Sequence, residues 1–387
     1  MKRIYMDYAA TAPLCDEALQ VMIPLMQTDF GNPTSLHSFG RDAIKAVDTA
    51  RADIADIIGA KPNEIYFTSG GTESDNWALK GIADANKGKG RHIISSPLEH
   101  HAVINSLKML EKEGFEITYL PVDEYGNVNP EDVRNAIRPD TILVTVMTAN
   151  NEIGTIEPIK EIGAVCREKK VYFHTDAVQA MGAVRFDVTE MNIDMLSMSS
   201  HKFYGPKGVG VLYIRNGVKI SKFMSGGEQE RNKRAGTINA AGIAGTAVAL
   251  KLAYENFEEK NNKLTSLRDH MIKRIESEIP YVRLNGARIN RLPNNVNFSF
   301  KYIEGESILF NLDLAGIAVS SGSACSSGSL DPSHVLLAIG LPHEIAHGSI
   351  RFTLGRSTTL EDVDYVVDNL KSIIDKLRKM SPLYPGK

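Results

Sequence analysis

Four stretches of the chain carry side chains whose types and spacing could do chemistry. In "SSGSACSSGSLDPSHV", residues 320–335, Cys325 stands alone among serines and glycines. Such a composition buries no core and leaves a thiol wet, which by itself describes an ordinary surface loop. In "VYFHTDAVQ", a strand-like run delivers Asp176 to its C-terminal end, the edge at which open α/β sheets bind ligands, and Gln179 follows just beyond. In "SMSSHKFYGPKGVG", Lys202 follows Ser199, Ser200 and His201 at a glycine-rich bend. In "FTSGGTESDN", Gly70 and Gly71 separate a strand-like run from a helical one. Free N–H groups at such a helix start converge on one point, where the helix dipole also favours an anion.

Each signal is weak alone. An aspartate at a strand end caps a helix more often than it reacts, a lysine at a bend is usually solvated, and Thr72 followed by Asp75 reads equally well as a plain helix cap. The glycine pair also lacks the lysine of a Walker A loop and the spacing of a GxGxxG turn. Together they supply an amine for a Schiff base, a carboxylate for a pyridine nitrogen and a cup for a phosphate. Those are the three requirements of pyridoxal 5'-phosphate.

The elements that must position these residues are legible as alternation. From about residue 40 to 215, short apolar runs such as "EIYFTSG", "RHIISSP", "DTILVTVMTAN" and "KKVYFHTD" alternate with amphipathic helical patterns, which predicts a mainly parallel α/β sheet. In "GRDAIKAVDTARADIADIIGA", Ile44, Val47, Ile54, Ile57 and Ile58 recur at helical spacing and the pattern stops at Gly59. From Asn239 one long helical pattern runs to about Glu278. Strand patterns "YVRLNG", "NNVNFSF" and "SIRFTLG" follow, and a final helix spans about Thr359 to Met380. A large domain over 15–250 is expected, with a smaller α+β domain formed by 1–14 and 251–387 that carries the Cys325 loop.

Composition narrows the partners. The 387 residues are 43% hydrophobic and 24% charged, and no apolar run has the length of a membrane span. Lys and Arg total 44 against 47 for Asp and Glu, a net charge of −3 without a basic run, which argues against nucleic acid. Three cysteines, Cys15, Cys166 and Cys325, lie far apart without CxxC spacing, which argues against a disulfide framework or a zinc knuckle. The start "MKRIYMDYAATAPL" lacks the pattern of a signal peptide, and a cytoplasmic location is expected.

The chain resembles the cysteine desulfurases of the NifS/IscS type, within the fold-type I pyridoxal phosphate enzymes of the class-V aminotransferase superfamily. The resemblance runs from "YMDYAATAPL" through "GNPTSLHSFG", "SGGTESDN", "EHHAV", "NNEIGT", "HTDAVQ", "SSHKFYGPKG", "GGEQERNKRAGTIN" and "SGSACSSGS" to "IRFTLGR". It implies a seven-stranded, mainly parallel sheet flanked by helices in the large domain. It also implies removal of sulfur from L-cysteine, giving L-alanine and a persulfide on Cys325 for transfer to an acceptor protein such as an iron–sulfur scaffold.

By that resemblance Lys202 matches the lysine that bonds the cofactor aldehyde and then moves protons. Asp176 matches the carboxylate at the pyridinium nitrogen, Gln179 the partner of the ring phenolate, and Asn151 a contact on the same side of cofactor and substrate. His100 fits the imidazole on the ring face, while a helical segment would turn His101 about 100° away and make it structural. Gly71, Thr72, Ser199 and His201 fit the phosphate cup. Thr237 matches a residue that reaches the phosphate of a partner subunit, which implies a homodimer. Arg351 fits the guanidinium that grips the substrate carboxylate in a bidentate fork, with Arg356 as lesser candidate. A thiol that must reach bound substrate and then an acceptor accounts for the serine and glycine around Cys325.

Four rivals stand against this. "HEIAH", residues 343–347, matches a zinc-protease pattern, but Pro342, Gly348 and the strand-like "SIRFTL" crowd it. An aminotransferase needs no travelling thiol, whereas a selenocysteine lyase would share the whole site. A non-catalytic scaffold would not require Lys202, Asp176 and His100. The chain ends "KMSPLYPGK" without the C-terminal extension by which some relatives engage the scaffold, so docking in that manner is not expected.

Overall fold

In the computed structural model the described residues are 2–321 and 332–385. Twelve strands can be traced in chain order: β1 (Ile4–Tyr5), β2 (Ile65–Thr68), β3 (His92–Ser95), β4 (Glu116–Tyr119), β5 (Thr141–Thr145), β6 (Tyr172–Asp176), β7 (Met195–Ser199), β8 (Gly210–Ile214), β9 (Val282–Leu284), β10 (Asn295–Phe300), β11 (Ile317–Ala318) and β12 (Ser349–Thr353). Seven of them form one sheet in the order β2-β8-β7-β6-β5-β3-β4. All its pairings are parallel except those of β8, which runs antiparallel to β2 and β7. The interior strands are buried on both faces, which is why "TILVT" and "MLSMS" read as continuous rather than alternating patterns.

Helices cover both faces. Helix Ser38–Ile57 turns Ala43, Val47, Ala50 and Ile54 inward, and the His37 side chain accepts the Gly40 N–H at its start. Helix Gly71–Asn86 begins after Gly70, which occupies the N-cap position, so Thr72 lies inside the first turn rather than capping it. The long helical pattern after Asn239 is two helices, Ala240–Tyr254 and Phe257–Glu278. Glu255 is extended and Asn256 adopts φ 50°, a left-handed conformation that asparagine tolerates better than most residues; it interrupts a periodicity that otherwise looks continuous.

A second core lies around the antiparallel sheet β12-β10-β9, where Phe298, Phe300 and Phe352 pack with Met271, Ile275 and the inward face of helix Leu360–Met380. Ile4 and Met6 join this core because β1 pairs in parallel with β11. An isolated bridge links Asp7 to Thr353 and another links Ser320 to Arg351. The N-terminal segment is thereby stitched to the strand that carries Arg351. Among the described residues no helix is long and apolar enough to cross a membrane.

Candidate active site

The parallel strands β3, β5, β6 and β7 all end on one side of the large sheet, and the residues that follow them enclose a cavity of about 360 Å³. Lys202, Asp176, Gln179, His100, Asn151, Gly71, Thr72, Ser199, His201 and Arg351 all line it. Thr237 does not; it lines a separate cavity of about 170 Å³ with Ser69, Gly208 and Arg234. Arg356 also lies elsewhere, its guanidinium 4.5 Å over the Tyr204 ring, in a cavity shared with Pro293 and Leu264. Cys325 falls outside the described residues.

β7 ends at Ser199 and a single 3-10 turn, Ser200–Lys202, brings the lysine back over the sheet edge. Its Nζ donates to the carbonyls of Ala9 at 2.6 Å and Ala10 at 2.8 Å. The N-terminal "DYAAT" segment thus forms part of the site wall, and Gln179 Nε2 donates to the same Ala9 carbonyl at 3.0 Å. Asp176 ends β6 with its Oδ1 accepting the Val178 N–H at 2.8 Å. Burial pushes its carboxyl up to about 6, although that N–H and the Lys202 charge act the other way.

Two further buried acids stand near Asp176. Asp75, on helix Gly71–Asn86, has an Oδ1 without a hydrogen-bond partner, 3.7 Å from His174 Nε2. Desolvation, then the nearby Asp176 charge, hold its carboxyl well above the ordinary range. Glu99 accepts the Met147 N–H at 2.7 Å, and burial raises it likewise. His174 lies on β6 beneath them and bonds Thr145 Oγ1 at 2.9 Å and Ser197 Oγ at 3.0 Å; burial lowers it to about 3, so it is neutral.

His100 is the N-cap of helix His101–Lys112 and is extended, with φ −61° and ψ 151°. The helical rotation expected between it and His101 therefore does not apply, and both rings line the cavity. The His101 ring lies 4.9 Å from that of His334 and 6.3 Å from that of His100. His100 Nδ1 accepts the Ala102 N–H at 3.1 Å, which places the ring proton on Nε2. Burial, aided by the Lys202 charge, lowers His100 to about 4. His201 is lowered to about 4 by the same two causes, and its Nδ1 meets Thr11 Oγ1 at 3.1 Å.

Arg351 extends from β12 with only 2% of its side chain exposed. Nη2 pairs with Asp7 Oδ1 at 2.9 Å, Nη1 donates to the Asn151 carbonyl at 3.0 Å, and Nε is buried without a hydrogen-bond partner among the described residues. An unsatisfied guanidinium N–H on a side chain that lines a cavity is a place for an incoming acceptor. Asp7, Asp75, Glu152 and His334 are the residues that reading by motif misses. The one signal available was that all four lie inside quoted stretches, Asp7 in "MDYAAT", Asp75 in "GGTESDN", Glu152 in "NNEIGT" and His334 in "SLDPSHV".

These residues fit pyridoxal phosphate. The cavity has the size of a small-cofactor site. The start of a sixteen-residue helix opens onto it beside Thr72, Ser199 and His201, with a buried carboxylate and an amine on other walls. Gly71 keeps the first turn close: a Cβ there would lie 2.7 Å from Val178 Cγ2. The HExxH rival has no such setting, since His343 and His347 lie outside the cavity. Among the described residues no group of three or more His, Cys, Asp or Glu could hold a metal ion.

Comparison with known proteins agrees with this chemistry. The family model for class-V aminotransferases matches residues 4–366. The chain is 60% identical over 385 residues to the cysteine desulfurase IscS of Clostridium botulinum strain Hall, covering 99% of this chain and 97% of that protein. A solved structure described as a NifS-like protein superposes with a TM-score of 0.92 at 37% identity, covering 97% of this chain and all (100%) of that one. Another, described as SspA in complex with cysteine, gives 0.82 at 38% identity, covering 92% and 100%.

Proposed function

The chain belongs to the class-V aminotransferase family and is a pyridoxal phosphate-dependent cysteine desulfurase, and from that premise we propose how its own residues divide the work. The reading rests above all on one observation: Lys202, Asp176, His100 and Arg351, far apart in sequence, line one cavity at the sheet edge. Lys202 would hold the cofactor aldehyde and, once released by substrate, remove the Cα proton. Asp176 would keep the ring nitrogen protonated, with Gln179 at the phenolate and Asn151 beside it. Gly71, Thr72, Ser199 and His201 would receive the phosphate, with Thr237 contributed by the second subunit of a homodimer. The bound cofactor supplies an electron sink for the charge that develops at Cα.

Arg351 would orient L-cysteine by its α-carboxylate, using the unsatisfied Nε edge. The Cys325 thiolate would then attack the substrate Sγ; the new S–S bond forms as the substrate C–S bond breaks, the bonding pair passes to Cβ, and protonation at Cβ and then at Cα, there by Lys202, completes L-alanine while a persulfide stays on Cys325. An ordinary thiol of pKa about 8.5 is mostly protonated near neutrality and must lose its proton first. The substrate amine is the better acceptor than His100, whose Nδ1 is already engaged and whose affinity for a proton is low. His100, neutral with its proton on Nε2, is suited to donate a hydrogen bond from that nitrogen.

The segments 1–14 and 251–387 are taken as the smaller domain against 15–250. A reducing, cytoplasmic setting accords with the buried, unpaired Cys15 and Cys166. The persulfide would pass to an acceptor protein, with iron–sulfur cluster assembly as the destination that fits the relatives' names. Selenocysteine is the competing substrate, and alanine release from both amino acids separates the two. The deciding experiment is intact mass of the holoenzyme after L-cysteine. One added sulfur atom is expected in the wild type and none in Cys325→Ser, which should retain the cofactor absorption. Normal desulfuration by Cys325→Ser would overturn the assignment.

A further inference from the structure

Glu152 has no part in that scheme, yet it is built into the same cavity wall as Arg351. It follows Asn151 in the turn after β5, and the residue is 5% exposed. Its backbone is clamped: its N–H donates to Asn150 Oδ1 at 2.9 Å, and its carbonyl accepts from Asn295 Nδ2 at 3.2 Å and Asn297 Nδ2 at 3.0 Å. Its Oε2 accepts a hydrogen bond from Ser333 Oγ. Ser333 Oγ itself accepts the N–H groups of Val335 at 3.1 Å and Leu336 at 3.4 Å, so its proton is directed at the carboxyl. The acid is therefore fixed in place.

Charge balance at Arg351 gives this acid a consequence. Asp7 already neutralises the guanidinium. An arriving α-carboxylate is a second anion on one cation whose side chain is 2% exposed, and an ionised Glu152 would be a third. We propose that Glu152 selects the charge state of the substrate subsite: as a neutral acid it admits the amino acid carboxylate at Arg351, and as a carboxylate it repels it. The proposal rests on the reading of Arg351 as the carboxylate anchor.

The sign follows from linkage. Burial pushes Glu152 up to about 7, with the Ser333 hydrogen bond and the Arg351 charge acting against it. The neutral form dominates below that value, so affinity for the carboxylate is highest there and falls as pH rises through it. The other titratable groups around the cavity are Arg351 on β12 with Asp7 behind it, His334 on the helix that Ser333 caps, His100 and His101 at the start of helix His101–Lys112, and, at the sheet edge, Asp75, Asp176, His201 and Lys202. Burial holds His334 below the ordinary imidazole value, and it holds His100 and His201 at about 4, so the last two stay neutral through the window.

The test uses L-alanine, the reaction product, which lacks a thiol, with its dissociation constant measured by calorimetry on the holoenzyme. Between about pH 6 and about pH 8.5, wild-type affinity should weaken by about 30-fold relative to Glu152→Gln, since the upper limit lies about 1.5 units above the Glu152 midpoint and each unit is a tenfold change. The ligand amine and the cofactor titrate alike in both proteins, so Glu152→Gln supplies the baseline and the contribution of Glu152 is the ratio of the two curves. Ser333→Ala, which removes a donor to the carboxylate form, should move the wild-type midpoint upward. Wild-type and Glu152→Gln curves that run parallel, or an unmoved midpoint in Ser333→Ala, would overturn the role of Glu152. Arg351→Ala run alongside separates the premise: weakened L-alanine binding there supports the anchor whatever Glu152 does, and unchanged binding overturns both.

Discussion

At the scale of single residues, Arg351 and Arg356 offer the sharpest contrast, since both are arginines of "SIRFTLGR" and either could read as a carboxylate clamp. Arg351 lines the cavity, oriented by Asp7 and the Asn151 carbonyl, with its Nε–H unsatisfied among the described residues, whereas Arg356 covers a tyrosine ring. A charge-assisted hydrogen bond contributes about 1.5–3 kcal/mol, so Arg351→Ala should raise KM for L-cysteine about 10- to 100-fold. Arg356→Ala should leave KM near the wild-type value. Steady-state kinetics on the two variants decide between them, and an effect confined to Arg356→Ala would exchange their roles. Asp176 calls for a different measurement because it acts on the cofactor rather than on the substrate. With a neutral amide in place of a fixed charge, Asp176→Asn should keep the cofactor attached through Lys202 but lose about 100-fold or more in turnover, the size of effect seen when preorganised electrostatics are removed. Loss of the absorption band instead would make Asp176 a retention residue.

At the scale of elements, the site depends on how closely helix Gly71–Asn86 approaches the strand ends. An alanine at Gly71 would bring its Cβ to 2.7 Å from Val178 Cγ2, so the first turn must back away from the sheet. Overpacking of this kind costs about 1–3 kcal/mol, and the N–H groups that would receive the phosphate move with the turn. Gly71→Ala should therefore show a lower melting temperature together with faster cofactor release, measured by absorbance after dilution; cofactor release at the wild-type rate would remove this helix from the phosphate cup. Such positions were legible only in combination: Asp176 at a strand end and a glycine pair before a helix each have a commoner structural use, and it was their conjunction with Lys202 that pointed to one site. What stayed hidden has a common cause. Asp75 reads as a helix-cap partner and Glu152 as one acid among many, because burial and the absence of a counter-charge are properties of the assembled fold. Asn256 hid the break between two helices, since a single left-handed residue leaves the periodicity on either side intact.

At the scale of the whole molecule, the segment carrying Thr237 is held rigidly yet away from the Lys202 cavity. Arg51 and Glu230 form a buried two-pronged ion pair at 2.9 and 2.8 Å; Glu230 Oε2 also accepts the Phe67 N–H at 3.0 Å, and Arg231 Nη2 donates to the Ile65 carbonyl at 2.6 Å. This cluster covers the open edge of β2 and fixes residues 230–232, all at positive φ, that lead toward Thr237. Removing one partner of a buried pair strands the other, so Glu230→Ala should cost about 3–5 kcal/mol in denaturant unfolding. Thr237→Ala should cost little stability but weaken cofactor retention, and in a homodimer the loss would fall on the opposite subunit's site. Complementation reads that directly. A hybrid of one Lys202→Ala subunit and one Thr237→Ala subunit contains one site lacking both groups and one site lacking neither, because the intact Lys202 and the intact Thr237 meet across the interface. At a cofactor concentration that leaves Thr237→Ala sites largely empty, mixed and refolded subunits should therefore show more desulfurase activity than either variant alone. If Thr237 served the cavity of its own chain, every site in the hybrid would lack one group, and mixing would restore nothing.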